Sequence, residues 1–289
     1  MSFTDIAQAF FNGIAIGSVI ALAAVGLTLT YGILKLSNFA HGDYMTLGAY
    51  LTWFCNINGL NIPIAMFCGA LGTVVAMLVA EFLLWQPMRK QRATPTTLII
   101  LSIGLALFVR NSILFVWGGS NQFYDIPPAP ATDVLGVKIA FYRLVAIALA
   151  VVAAIVLHFI LQNSKIGKAM RAVADNIDLA RVSGINVDRV ILWTWVITGV
   201  LVALAGTTYG LITVIRPNMG WFLILPMFAS VILGGIGNPY GAIAGALIIG
   251  VAQELSALFL DPAYKQGIAL AIMVVILLVR PRGLFKGTM

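Results

Sequence analysis

Charged positions along the chain fall into a few clusters, and long apolar stretches separate them. Residues 6–34 carry no charge, nor do 44–80, 93–109, 111–124, 190–215, 217–253 and 266–279, while 144–164 holds only His158. An ionised side chain at the centre of a bilayer costs about 2.5–3.5 kcal/mol on insertion scales, so such runs predict spans of about 20 residues. The runs 44–80 and 217–253 are each long enough for two segments. The first is interrupted by Asn56, Asn58, Gly59, Asn61 and Pro63. The second is interrupted by a helix break at Gly234, Gly235, Gly237, Asn238, Pro239 and Gly241, residue types that stop helices and make turns. The pattern predicts nine apolar segments: 8–31, 39–55, 62–86, 96–117, 141–162, 190–215, 222–236, 240–259 and 266–280. Segment 222–236 is short enough that it either crosses or only dips into the bilayer. The fold class is therefore all-α, a polytopic transmembrane helical bundle of eight or nine segments, in a single membrane domain over residues 1–289.

Composition sharpens this picture. The chain is 61% hydrophobic and only 9% charged, against about 25% charged in soluble proteins. Its net charge of +7 is spread too thinly to follow a phosphate backbone, which excludes a nucleic-acid partner and leaves membrane lipid as the surroundings. The opening MSFTDIAQAFF lacks the basic region of a cleavable signal, so the first apolar stretch is expected to stay in the mature protein. Orientation follows from the basic residues of the short loops. With the C-terminus cytoplasmic, the inner face holds twelve, Arg282 and Lys286 among them, and the outer face only Lys138, Arg143, Arg216 and Lys265. The N-terminus is then outside.

A weak internal symmetry accompanies these spans. Gly17–Ile33 aligns with Gly199–Ile215, matching Gly17, Ala21, Leu22, Ala23, Leu29 and Ile33 with residues of the same type. Each of these helices leads into one of the two broken 37-residue runs, which end at Glu81 and Glu254. The two helices run in opposite directions, so the repeat would be inverted, as in many carriers.

Several chemistries are missing. The chain has no phosphate-binding Gly-x-x-x-x-Gly-Lys-Ser/Thr loop, no Gly-x-Ser-x-Gly elbow and no His-Glu-x-x-His pair. Cys55 and Cys68 have no metal-ligand pattern around them and read as free thiols. No catalytic residue and no metal site is expected, although an intramembrane hydrolase built on His41 stays open.

The longest non-apolar segment, residues 164–190, carries eight of the twenty-seven charges and is expected on the cytoplasmic side. Ile166, Met170, Val173, Ile177 and Ala180 recur at spacings of 4, 3, 4 and 3, the stripe of one amphipathic helix. Gly184 stands where a left-handed cap would end it, and Asn186 or Asp188 can cap the next helix. Composition alone favours a helix lying on the membrane or its own bundle; a docking element is the alternative.

The pattern Asp178-Leu179-Ala180, three residues, Gly184-Ile185 resembles the signature of ABC importer permeases, with Asp in place of Glu and Leu in place of the first Ala. The segments 17–51, 164–190 and 227–255 together resemble the branched-chain amino acid ABC permease family, LivH type. The most specific pieces are Asn38-Phe-Ala-His41-Gly42 and Leu233-Gly-Gly-Ile-Gly-Asn-Pro-Tyr-Gly241; Asp43 follows where relatives often carry Glu. The resemblance implies an importer subunit of the bacterial inner membrane that takes a branched-chain or other neutral amino acid from an extracytoplasmic solute-binding protein. It implies a second homologous permease and two cytoplasmic ATP-binding subunits, which would hold ATP and Mg, so that this chain carries no cofactor and is not an enzyme by itself. Related permeases carry urea or amides, and a stand-alone carrier or channel is the other alternative.

On this reading the residues for ATPase coupling are Gly167, Arg171, Ala172, Asp178, Ala180, Gly184 and Ile185. Candidates for the path or gate are Asn38, His41, Gly42, Asp43 and Glu254. Ser37 or Asn38 is also placed to cap a helix whose first turns hold Asp43, where the dipole favours an anion. His41 can bond a neighbouring carbonyl. Glu254 suits either an inter-subunit hydrogen bond or a path-lining role. Glu81 is expected to pair with Arg89 by snorkelling to the interface, and Arg110, beside Asn111 and Ser112, faces either a polar cavity or a partner.

Overall fold

The computed structural model describes residues 3–127, 130–134, 136–280 and 283–285; Arg282 and Lys286 of the charge count lie outside them. The chain is mostly helical. In order come α1 (Phe3–Leu34), α2 (His41–Ile57), α3 (Ile62–Ala80), a π-helical turn (Glu81–Trp85), α4 (Gln86–Lys90), α5 (Pro95–Trp117), a hairpin of β1 (Ala131–Val134) and β2 (Val137–Ala140), α6 (Phe141–Asn163), α7 (Lys165–Asp175), α8 (Ile177–Val182), α9 (Val187–Ile212), α10 (Met219–Gly234), α11 (Pro239–Ser256), a 3₁₀ turn (Pro262–Tyr264) and α12 (Lys265–Val279). Each of the nine predicted apolar segments is occupied by one of the longer helices. Six stretches are long and apolar enough to cross a membrane: Phe3–Leu34, Ile62–Lys90, Pro95–Trp117, Phe141–Asn163, Val187–Ile212 and Pro262–Val279. Helix α10 is apolar but has only 16 residues.

Helix α1 is the buried axis of the bundle, packed along α9 and α11. Helix α2 packs on α3 and α9, and α10 on α11, α12 and α1. The outer helices turn apolar side chains outward, with Phe67, Phe115 and Leu278 each at least 70% exposed, as a lipid-facing surface requires. Between α3 and α4 the ladder widens to a π turn, closed by Gln86 N donating to Glu81 O. The next residue, Pro87, has no N–H to give and its ring crowds the carbonyl a turn earlier.

Three expectations are corrected. The β1–β2 hairpin, antiparallel with Ala131 opposite Ala140, was not foreseen from so short an alternation. The stripe from Ile166 to Ala180 is not one helix: Asn176 (φ −152°, ψ 107°) breaks it into α7 and α8 and leaves Ile177 exposed. Ser37 and Asn38 do not cap α2, whose N-cap is Ala40 with no side-chain bond; the Asn38 side chain accepts from Ala40 N at 3.1 Å in a local turn.

Beyond the C-terminus of α5, Asn56 of α2 accepts from Asp125 N at 2.7 Å, and Gln122 pairs with Ile215. Tyr124 is buried there and donates to Ala49 O at 3.3 Å. Burial pushes its hydroxyl well above the ordinary tyrosine range, with a smaller opposing effect from Thr207.

Candidate functional site

Two places combine unusual geometry with residues singled out from the sequence. The first is the crossing of α2 and α10. Both helices are short and start after non-helical stretches, 35–40 and 213–218. A side chain on Gly42 would strike the carbonyl of Gly220, and one on Gly220 would strike the carbonyl of Gly42. Only residues without a Cβ let the backbones meet there. Gly220 N donates to Thr46 Oγ1 at 3.0 Å, which ties the first turn of α10 to the second turn of α2.

Asp43, one residue on, is fully buried. It receives Arg110 Nε at 2.9 Å and Nη2 at 3.1 Å, a bidentate pair from α5, and the guanidinium lies 4.5 Å from the centre of the Trp221 ring on α10. This fork geometry is the strong form of the carboxylate–arginine contact, and it binds α2, α5 and α10 at one point. The pairing was not foreseen, although the polar cavity expected beside Arg110 is present: Arg110 lines it together with Asn121, Arg216 and Asn218. The available signal was that each is an isolated charge of opposite sign in apolar sequence, where a partner is needed.

His41 is buried, and its Nε2 donates to Ala23 O at 2.8 Å, so the carbonyl bond foreseen for it is present. Its Nδ1 and Asn38 Nδ2 are buried without a partner. Next to Arg110 on α5, Asn111 is exposed and Ser112 half-buried, each bonded only to its own helix, at Leu107 O and Phe108 O. Glu254 does not stand alone: Lys265 Nζ of α12 lies 2.5 Å from it, both half-buried. Glu81 does pair with Arg89, but it is 2% exposed, not snorkelled, and also takes Trp195 Nε1 at 2.7 Å. The helix break is a tight turn in which Gly235 (φ 105°) and Gly237 (φ 88°) are left-handed, Gly234 and Gly241 touch backbone to backbone, and Asn238 caps α11 ahead of Pro239.

The second place is the α6–α9 connection. Ser164 caps α7 by accepting from Gly167 N at 2.9 Å, and Gly167 lies against the carbonyls of Ile160 and Leu161. Arg171 donates to Leu161 O and Gln162 Oε1, answering the end of α6. Ala172 O accepts from Asn176 N. Asn176 then caps α8, accepting from Asp178 N and Leu179 N at 3.1 and 2.9 Å.

Helix α8 ends in a Schellman cap: Gly184 N donates to Arg181 O, Ile185 N to Ala180 O, and Gly184 has φ 84°. The spacing Ala180, Gly184, Ile185 is thus the spacing this cap demands. Ala180 is buried, Asp178 exposed, and Leu179 and Val182 stand out at 59% and 82% exposure. Leu179 and Val182, the most exposed aliphatics on this six-residue helix fixed at both ends, make a small apolar tip. Among the described residues no group of three or more His, Cys, Asp or Glu is placed to hold a metal ion.

Comparison with known proteins places this architecture. The family described as branched-chain amino acid transport system, permease component, matches residues 9–277. The high-affinity branched-chain amino acid transport system permease protein LivH of Salmonella typhimurium is 31% identical over 96% of this chain and 94% of its own. BraD of Pseudomonas aeruginosa, a permease protein of the same description, is 29% identical over 96% and 94%. The solved structure of PsaBC from Streptococcus pneumoniae in complex with Fab shares the fold, with a TM-score of 0.54 at 15% identity over 97% of this chain and 94% of that one. The chain is a multi-pass membrane protein and belongs to the family of branched-chain amino acid transport permeases.

Proposed function

We propose that this chain is the membrane-spanning subunit of an ATP-driven importer for branched-chain or other neutral amino acids in the bacterial inner membrane. It pairs with a second homologous permease, receives cargo from an extracytoplasmic solute-binding protein, and is driven by two cytoplasmic ATP-binding subunits that hold ATP and Mg. In this reading nine segments enter the bilayer, with the N-terminus outside and the C-terminus cytoplasmic. The helices form an inverted repeat in which α1, α2 and α3 answer α9, α10 and α11. The equivalent places of Gly42 and Gly220, each the second residue of its helix, support that pairing. It sets α1 against α9 in a register about one turn from the match of Gly17 with Gly199.

The observation that carries the reading is the α8 tip. Gly167, Arg171 and Ala172 anchor α7 to α6, and Asp178, Ala180, Gly184 and Ile185 hold α8 so that Leu179 and Val182 enter a groove of the ATP-binding subunit. At the other end of the chain of contacts, Asn38, His41, Gly42 and Asp43 form the buried gate around which α2 and α10 move, with Glu254 steadying α11 on α12. The polar spots Asn111 and Ser112 on the outward face of α5 suit a path shared with the second permease.

Reconstitution tests this. Leucine uptake should need the ATP-binding subunits and ATP, and Gly184→Asp should abolish it while the chain remains folded in the membrane. Uptake by the chain alone, or unchanged coupling in Gly184→Asp, overturns the proposal.

A further inference from the structure

A cavity of about 730 Å³ lies where the ends of α1, α4 and α7 meet the starts of α8 and α9. The transport reading leaves it unused. Its floor is aliphatic, built from Ile33, Leu34, Val173 and Ile191. Its rim carries both signs of charge: Lys90, Arg92 and Arg181, with Asp175, Asp178 and Asp188. None of these six side chains has an ion-pair partner among the described residues, whose three ion pairs join other residues. Of the other rim cations, Arg89 is engaged by Glu81 and Lys35 Nζ donates to Ala174 O at 3.3 Å.

The backbone adds a second observation. Lys35 and Arg92, both at φ 53°, are the non-glycine residues with left-handed backbone among those described, and both line this cavity. Each follows the end of a helix, α1 or the short α4 and its closing turn, where glycine would be the cheaper residue. A cation in the last helical turn would answer the helix dipole without that strain. Strain held at a pocket rim is a mark of a binding site.

The charge set narrows the ligand. The rim carries both signs, which suits a zwitterion: its three carboxylates and three converging helix C-termini suit an ammonium group. Arg92 and Lys90 suit a carboxylate, and the floor suits a branched aliphatic side chain, the apolar-with-few-polar-groups character of small-molecule sites. We propose that this cavity binds a free zwitterionic amino acid with a branched aliphatic side chain. Its carboxylate rests on Arg92 and Lys90, its ammonium on Asp175.

Asp178 and Arg181 belong both to α8 and to the cavity wall. Occupancy therefore ties the α8 tip to α1 and α4, and accumulated cargo slows its own import. This inference rests on the cargo and orientation proposed above.

The test uses the complete transporter in proteoliposomes with the solute-binding protein inside. ATP added outside then works only on transporters whose ATPase side faces out, and leucine added outside reaches the cavity. Leucine should lower the ATPase rate, whereas isocaproate, which lacks the ammonium, and isoamylamine, which lacks the carboxylate, should not. Arg92→Ala and Asp175→Asn should each raise the half-inhibiting leucine concentration about tenfold and leave the rate without outside leucine unchanged. Absence of inhibition, equal inhibition by isocaproate, or wild-type inhibition in both variants overturns the proposal.

Should the assembly hydrolyse no ATP in response to leucine-loaded binding protein, the transport reading is what has failed. Equilibrium dialysis of radiolabelled leucine against the purified full chain then decides the cavity. Saturable binding lost in Arg92→Ala supports it, and no binding overturns it.

Discussion

The crossing of α2 and α10 and the tip at α8 are built on opposite plans. At the crossing, two glycines bring backbones into contact and a buried fork of Arg110 on Asp43 joins three helices. Gly42, Asp43 and Gly220 at its centre are buried. At the tip, six helical residues are held by Asn176 at one end and Gly184 at the other, while Leu179 and Val182 point away from the rest of the chain. The ion pair of the first is satisfied internally. The second leaves apolar surface whose burial needs another molecule. The difference teaches that internal packing energy sits at the crossing and free binding surface at the tip, so changes in the two should fail in different assays.

The sharpest contrast is expected from Gly220→Leu, which places a side chain inside the backbone contact with Gly42. No relaxed rotamer avoids the clash, and fluorescence-detected size exclusion should show no monodisperse protein. Next comes Arg110→Met. It leaves the Asp43 carboxylate buried and unpaired, at a cost of about 3–5 kcal/mol, read as a large fall in thermal midpoint in detergent. The double variant Asp43→Asn with Arg110→Met should recover most of that loss; failure to recover would mean that the Arg110–Trp221 contact, not the ion pair, carries the energy.

Asn176→Ala removes one helix cap and should cost about 1 kcal/mol, confined to faster hydrogen exchange in α8. Val182→Asp should leave the thermal midpoint unchanged within about 0.5 kcal/mol while weakening capture of the ATP-binding subunits. A stability loss in Val182→Asp as large as that of Arg110→Met would erase the distinction between the two regions.

How much of this was written locally in the chain follows the same division. The apolar segments could be placed within a few residues because the desolvation cost of a charge is local, and Lys35, Arg89, Arg143 and Lys165 mark helix ends wherever they stand. Gly184 as a left-handed stop was legible for the same reason, since its cap is closed by residues within five positions. The break at Asn176 was not, because its amide competes with a periodicity that Ile166, Met170 and Val173 satisfy and Ile177 only imitates.

The fork of Arg110 on Asp43 spans 67 positions, and the Glu81–Trp195 bond spans 114. No pattern along the chain specifies which distant partner a buried charge will find, although the need for one was visible in both isolated residues. For Glu254 the partner, Lys265, was only eleven positions away, across a turn that periodicity alone did not close.

The touching backbones of Gly42 and Gly220 have one more consequence. Side chains ordinarily cushion neighbouring helices, absorbing small shifts by changing rotamer. No such padding exists here. Any tilt imposed on one of these two rods reaches the other undamped, like motion through a bearing with no clearance, and the only freedom left to the pair is to roll or slide as rigid pieces.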